Sequence, residues 1–188
     1  ESGDWFIPAL QGLALNAAIA VLADGKKLAA ETGDLLFTHF GLSGPKLLVL
    51  SEVAVNALTD GKKVEIAVNL TGKTAEQTNA ELRIYFAQNG AKLFSNYLKA
   101  SFSKSLAAVL EKLCGVPQGA QCASVTAEQR RKIAETLCSF RIGITRPRPV
   151  REATVTCGEI ELKEVNPQTM ESRLVKGLYF CGEVLDLA

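Results

Sequence analysis

Acid–base chemistry in this chain would depend on one histidine, His39, which lies in a stretch with two glycines and a proline, Thr38 to Pro45. An imidazole changes charge near neutral pH, so His39 could donate a hydrogen bond or shuttle a proton. The alternative is that His39 caps or packs beneath the helix that Pro45 begins. Ser43 is predicted to cap that helix rather than act as a nucleophile, because the histidine has no evident partner to orient it as a base.

Metal chemistry is poorly supported, and no metal ligand is predicted. The five cysteines contain no C-x-x-C pair and only one histidine accompanies them. They are predicted to be reduced packing thiols of a cytoplasmic protein. The 21 lysines and arginines nearly balance the 20 acidic residues, and a net charge of +1 gives no overall argument for a nucleic-acid or membrane partner.

The last stretch of the chain places acidic side chains after an apolar run. Residues 176–186 pass through Gly182 and Glu183 and end at Asp186. Glycine boundaries with aromatic and branched residues between them predict a buried strand. The sequence ends two residues after Asp186, so we expect a piece of a longer protein.

The elements before that stretch predict an α+β fold. Residues 1–71 contain strand patterns, an Asp24-Gly25 hairpin signal and one helix from Pro45 to Leu58, whose few polar positions predict burial on more than one side. Residues 72–140 contain two capping boxes, which begin at Thr74 and Thr126, and a helix from Ser103 that ends before Gly115. They predict a small helical subdomain inserted into a β domain.

Strand patterns return after the helical subdomain. Phe140, Ile142 and Ile144 alternate with other residues, and 153–158 reads as a short strand that ends in Gly158. Between them, Arg146 to Arg151 is basic and broken by prolines, so it cannot be a central strand.

Three motifs resemble those of a known family in their order and spacing. They are Gly33 to Pro45 (GDLLFTHFGLSGP), Thr154 to Gly158 (TVTCG), and Thr169 to Ser172 (TMES) followed by Gly177 to Asp186. The chain is thereby identified as a member of the bacterial NAD(P)/FAD-dependent oxidoreductases described as BaiN-like or aminoacetone oxidase-like flavoproteins. The resemblance covers nearly the whole chain.

The resemblance implies a longer parent in which a Rossmann-like FAD domain is interrupted by a β-barrel domain, which in turn carries a helical subdomain. On this division, the chain lacks the Rossmann-like domain itself. The first part of the barrel would be 1–71 and the helical subdomain 72–140. The second part of the barrel would be 141–175, and 176–188 would begin the returning FAD-domain strand.

The resemblance also implies a cofactor site. Glu183 and Asp186 would accept hydrogen bonds from ribityl hydroxyls of FAD, and Gly182 would allow close backbone approach. The alternative is a turn with solvated acids. Gly158 matches the first glycine of a family pair, whereas Glu159 replaces the second, so either a carboxylate lies near the flavin ring or this is a surface turn. FAD is expected in the full-length parent and not on this chain alone.

The implied function is that of an insert that roofs the flavin and shapes access for a small-molecule substrate. One alternative is a flavin-dependent RNA-modifying reductase whose insert contacts RNA, and another is a non-catalytic interaction module. Arg146, Arg148 and Arg151 would bind a phosphate of FAD, NAD(P)H or RNA, or would form a solvated loop. Cys157 and Cys181 lie in the flavin-facing motifs, where packing is favoured over redox chemistry.

Overall fold

A computed structural model describes residues 1–153 and 158–186 of the chain. The chain divides into two compact units, Glu1–Pro147 and Arg148–Ala188. The first unit contains the sheet and the long helices, and the second contains turns and single bridges. The predicted α+β class is confirmed.

The sheet of the first unit has five strands, all paired antiparallel in the order β3-β2-β1-β4-β5, and curls into a half-barrel. Its strands are β1 (Ala14–Ala23), β2 (Lys26–Thr38), β3 (Gly41–Ser43), β4 (Val64–Asn69) and β5 (Phe140–Ile144). The hairpin predicted at Asp24-Gly25 joins β1 to β2, and both residues have positive φ, 49° and 78°. That backbone shape suits a tight turn between twisted strands.

Four of the helices lie in the chain between β4 and β5, as the pattern of residues 72–140 predicted. The helices of the first unit are α1 (Ile7–Leu10), α2 (Pro45–Thr59), α3 (Ala75–Gln88), α4 (Phe94–Ser101), α5 (Lys104–Leu113) and α6 (Ala127–Cys138). Both predicted capping boxes are confirmed. In each, the threonine hydroxyl accepts from the N3 backbone N–H and the N3 glutamine accepts from the threonine N–H.

The helices and the sheet bury one continuous hydrophobic cluster. Sheet residues such as Ile19, Phe37 and Val68 share it with Leu110 of α5 and Ile133 of α6. Phe140 lies where α6 gives way to β5, and its ring centroid is 5.3 Å from that of Phe6. The inserted helices are therefore packed as part of the same core as the sheet.

The prediction that α2 is buried on more than one side is wrong. Leu50, Ala54 and Ala57 face the core, whereas Leu48 and Val49 are 62% and 60% exposed. One face of α2 is covered by the sheet, and none of the described residues of the first unit covers the opposite face.

The second unit contains 3-10 turns at Val150–Glu152, Leu162–Glu164 and Gly182–Val184. The turn at Val150 agrees with the prediction that the arginine–proline segment is not a central strand. The strand predicted to end at Gly158 falls largely on residues 154–157, which lie outside the described residues.

The buried strand predicted over 176–186 is wrong. Its pairing is limited to single bridges, Glu171 with Tyr179 and Ile160 with Leu185, and Tyr179 is 61% exposed. Gly182, at φ 78°, turns the backbone away from an extended path. An apolar run becomes a strand only where a neighbour pairs along its length, and the described part of this unit provides no such neighbour.

Among the described residues, no helix is both long and apolar enough to cross a bilayer.

Candidate functional site

The second unit brings together two motifs that are distant in sequence. The Ile160 N–H donates to the Val184 carbonyl at 2.8 Å, and the Asp186 N–H donates to the Ile160 carbonyl at 3.1 Å. These bonds form a parallel bridge between Ile160 and Leu185. Ile160, two residues after Gly158, is therefore hydrogen-bonded to the stretch from Gly182 to Asp186.

The two glycines of this site are required by backbone conformation. Gly158 has φ 118° and Gly182 has φ 78°, in the region that residues with a Cβ seldom adopt. Apart from the residues next to each glycine in the chain, no atom of the described residues lies within 4 Å of the position that a Cβ would take at either residue. The space beside both backbones is therefore open, as close approach of a ligand requires.

Three acidic residues lie in the same two stretches as these glycines. Glu159 accepts from the Gly158 N–H at 3.0 Å, and backbone hydrogen bonds, from its own N–H first and then from that of Gly158, lower the pKa of Glu159. Glu183 and Asp186 are exposed, and no described lysine or arginine is ion-paired with either. Ionised carboxylates can only accept hydrogen bonds, so this arrangement fits a ligand that is rich in hydroxyl groups.

His39 lies in the first unit, in the two-residue turn between β2 and β3. Its side chain is exposed, and its ring meets that of Phe40 edge-on with 4.9 Å between centroids. Its side chain makes no hydrogen bond to the described residues, and it does not cap α2. The imidazole is thus available to a molecule from outside this unit.

The predicted helix cap at Ser43 is wrong. Ser43 is the last residue of β3, opposite Leu36, and the N-cap of α2 is Gly44, which makes no side-chain bond. Gly44 has φ 138°, and a Cβ there would lie 2.4 Å from the Asp34 carbonyl oxygen. The close approach of this turn to β2 therefore demands glycine at the position where a capping side chain would stand.

The arginines proposed to bind phosphate are already partly engaged. Arg146 pairs with Glu1, and the Arg148 Nε donates to Glu152 at 2.9 Å. Arg151 is exposed. A phosphate would have to compete with carboxylates for two of these three side chains.

The overall charge balance conceals a second basic region. Residues 72–140 contain nine lysines and arginines against five acidic residues, a net charge of +4. In the described structure only Lys73 of these nine forms an ion pair, with Glu81 at 2.6 Å. A count of charge segment by segment would have revealed this excess from the sequence, whereas the total of +1 does not.

Comparison with known proteins gives a family match over most of the chain. Residues 2–155 match the family model described as "HI0933-like protein barrel and H2TH domain". The chain is 31% identical over 192 residues to the ribosomal RNA dihydrouridine synthase of Escherichia coli (strain K12), with 96% of the chain and 43% of that protein aligned.

Two further relatives differ in the substrate that their names give. The ribosomal RNA dihydrouridine synthase of Haemophilus influenzae is 29% identical, with 98% of the chain and 43% of that protein aligned. The 3-dehydro-bile acid delta(4,6)-reductase of Clostridium scindens is 26% identical, with 94% of the chain and 43% of that protein aligned. The chain spans less than half the length of these curated relatives.

Proposed function

Because the chain belongs to the HI0933-like family of FAD-dependent flavoprotein oxidoreductases, we propose that it is the substrate-side domain of such an enzyme. It would roof the flavin and shape access to it. The observation that carries this proposal is the pairing of Ile160, two residues after Gly158, with Val184 and Asp186. It joins two stretches that the family resemblance assigns to the cofactor. The partner would be the FAD domain of the same protein. In this proposal 1–71 and 141–175 form the barrel, 72–140 form the helical subdomain, and 176–188 begin the FAD domain.

The residues of the second unit fit one edge of FAD. Gly158 and Gly182 leave open space beside the backbone, and Glu183 and Asp186 have exposed carboxylates with no ion pair to the described residues, which can accept from ribityl hydroxyls. FAD, when bound, would supply hydride transfer between a nicotinamide donor and the substrate. The role of this chain is to hold and orient it.

The reaction that we propose is saturation of a carbon–carbon double bond. The names of the relatives, a dihydrouridine synthase and a delta(4,6)-reductase, both describe loss of such a double bond. Saturation needs a proton as well as a hydride, and the exposed imidazole of His39 is the group that we propose for its delivery. His39→Ala should then slow turnover of the full-length enzyme and leave FAD bound, and unaltered turnover would make His39 structural.

The cofactor site is tested in the full-length protein by Asp186→Ala. Loss of a charged hydrogen-bond acceptor should weaken FAD retention by roughly tenfold, measured by flavin absorbance after dialysis. Glu161→Ala is the control, because Glu161 is an exposed acid of the same unit outside the motifs, where it pairs with Lys163. Equal flavin occupancy in the two variants would remove the ribityl role from Asp186.

A second candidate concerns the substrate, which we propose could be RNA rather than a small molecule. The specific support is the helical region, where eight of nine cationic side chains have no described carboxylate partner. A neutral or monoanionic small molecule would not need so many unpaired cations for its binding, whereas the phosphodiester backbone of RNA would.

A further inference from the structure

A cavity of about 540 Å³ opens where α5 ends and β5 begins. We define the α5–β5 junction as this cavity together with Trp5 and Lys112. Charged and hydroxyl side chains of α6 and β5 share its wall with apolar groups; the lining residues are Ala75, Leu113, Lys132, Glu135, Thr136, Cys138, Ser139, Phe140 and Arg141. The volume is in the range of small-ligand sites, so it can admit one nucleotide.

Two of the cations at this junction have no carboxylate partner among the described residues. Lys112 is in the last turn of α5, and the Lys132 Nζ lies 3.2 Å from the position that a Cβ on Gly115 would take, just beyond the end of the same helix. Both side chains are exposed. Two ammonium groups are thus gathered near one helix end and remain available to an anion.

The other charges at the junction are a shared cation and one acid. Arg141 donates to Glu65 at 3.2 Å, and Glu65 also pairs with Lys63 at 2.9 Å, so Arg141 is only partly neutralised. Glu135 also lines the cavity. Counting Lys112, Lys132 and Arg141 against Glu135, the surface of the junction has an excess of positive charge.

An exposed aromatic ring adjoins one of these cations, Lys112. Trp5 is 55% exposed, and the Lys112 Nζ lies 5.0 Å from its ring centroid. Phe6 meets Trp5 edge-on at 5.6 Å and lies 5.3 Å from Phe140, which lines the cavity. The indole is therefore held at its edge by the core while a large part of it faces solvent.

We propose that the α5–β5 junction binds an unpaired segment of RNA. Phosphates would contact Lys112, Lys132 and Arg141, a base would stack on Trp5, and the Ser139 hydroxyl would face a ribose or phosphate in the cavity. Single-stranded RNA is recognised by this combination of cations that follow the backbone with aromatic faces that stack on bases. The inference rests on the RNA candidate of the proposed function, for which it names the place where an unpaired segment of that substrate is held.

The test is RNA binding by the full-length protein. The probe is a fluorescein-labelled oligouridylate of about 16 nucleotides, which is as long as the larger single-strand sites of one binding domain. Lys112→Ala/Lys132→Ala should weaken binding at least tenfold and reduce the slope of log affinity against log salt by about 1.4, since each phosphate contact to a single strand contributes about 0.7.

Lys26→Ala/Lys27→Ala is the matched control. It removes the same two charges from exposed, unpaired lysines at the start of β2, in the β1–β2 hairpin. Its affinity for the probe should stay within about twofold of wild type. Equal weakening by the two double variants would overturn the proposal, because net charge rather than this junction would then govern binding.

Trp5 gives a second, independent readout. Trp5→Ala should weaken binding roughly tenfold without changing the salt slope, and Trp5→Phe should recover most of the loss, because stacking needs an aromatic face and not a charge. If Trp5→Ala binds like wild type, the stacking role is wrong.

Flavin content separates failure of this inference from failure of the proposed function. Suppose that the full-length protein retains FAD and that its wild-type form and its Lys112→Ala/Lys132→Ala variant bind the probe equally well. That result would overturn the RNA site alone. A full-length protein without FAD would overturn the proposed function, whatever its affinity for RNA.

Discussion

The sheet and the inserted helices of the first unit treat their cationic side chains differently. Outside residues 72–140, five of its seven lysines and arginines are ion-paired; the pairs are Lys46–Glu31, Lys62–Asp60, Lys63–Glu65, Arg141–Glu65 and Arg146–Glu1. Within residues 72–140, one of nine is paired among the described residues. Most cations of the sheet side are therefore neutralised by nearby carboxylates, whereas most cations of the helical side have no carboxylate partner among the described residues.

This difference shows why total charge is a poor guide to partners. Residues 1–71 contain eight acids against five cations, and residues 72–140 contain nine cations against five acids. The opposite excesses cancel in the sum of +1. A polyanion that approaches the protein is attracted by the charges near its binding surface, because the electrostatic field decays over roughly 10 Å at moderate salt. The net charge of the whole chain does not describe that attraction.

The largest expected effect comes from the residue that joins the two regions. Phe140 is 1% exposed at the start of β5, directly after α6. Phe140→Ala should destabilise the protein by about 3–5 kcal/mol, because it opens a cavity in a core that sheet and helices share. Helix content by circular dichroism and fluorescence of Trp5, the one tryptophan, should then report the same unfolding midpoint.

If the two signals separated, the packing around Trp5 and Phe140 would unfold independently of the helices, and the idea of one shared core would be wrong. Leu48→Ala is the matched control, since Leu48 is a large apolar residue that is 62% exposed. Its effect should stay within about 0.5 kcal/mol, as for most surface substitutions.

A smaller effect is expected from the carboxylate that two cations of the sheet side share. Glu65 bonds to Lys63 and Arg141, and the hydrogen bond from Lys63, the largest contribution, together with both cations lowers the pKa of Glu65. Glu65→Gln should cost about 1–2 kcal/mol at neutral pH, measured by urea unfolding.

The pH dependence of that difference follows from the lowered pKa. Stabilisation by the Glu65 carboxylate is complete above its unfolded pKa of about 4.3 and is lost as pH falls through the lower folded value. The advantage of wild type over Glu65→Gln should therefore shrink below about pH 4. Glu111→Gln on the helical side has no described ion pair to lose, so a comparable cost there would contradict the contrast between the regions.

The smallest expected effect concerns the helix caps. Thr126→Ala and Thr74→Ala each remove one capping box and should each cost about 1 kcal/mol in thermal or urea unfolding. Neither changes charge, so both should leave the salt dependence of binding to the RNA probe unchanged. A reduced salt slope in Thr126→Ala would mean that the position of α6, rather than its charges alone, sets the interaction.

Local hydrogen bonding made several elements predictable. The boxes at Thr74 and Thr126 and the Asp24-Gly25 turn each involve residues at most three apart. Their donors and acceptors are near each other in any compact state of the chain, so the pattern alone specifies the bond. The family, too, was recognisable from short motifs.

Predictions that needed a distant neighbour were less secure. The closing stretch has the composition of a strand, but strand formation depends on a pairing partner that composition does not reveal. Gly44 replaces the expected Ser43 cap because Asp34, ten residues earlier, occupies the space that a Cβ would need. Leu48 and Val49 were expected to be buried because the pattern of a helix does not tell how many of its faces have a neighbour.

The sequence by itself therefore determined the capping boxes at Thr74 and Thr126, the hairpin and the family, because each depends on residues near one another in the chain. Only the tertiary structure decided that Ile160 pairs with Val184 and Asp186, which joins the two stretches that contain the glycines and acidic residues of the candidate cofactor site. Only it decided which cations are neutralised. An ion pair or a ligand site needs side chains within a few ångströms of each other, and chain folding alone sets those distances.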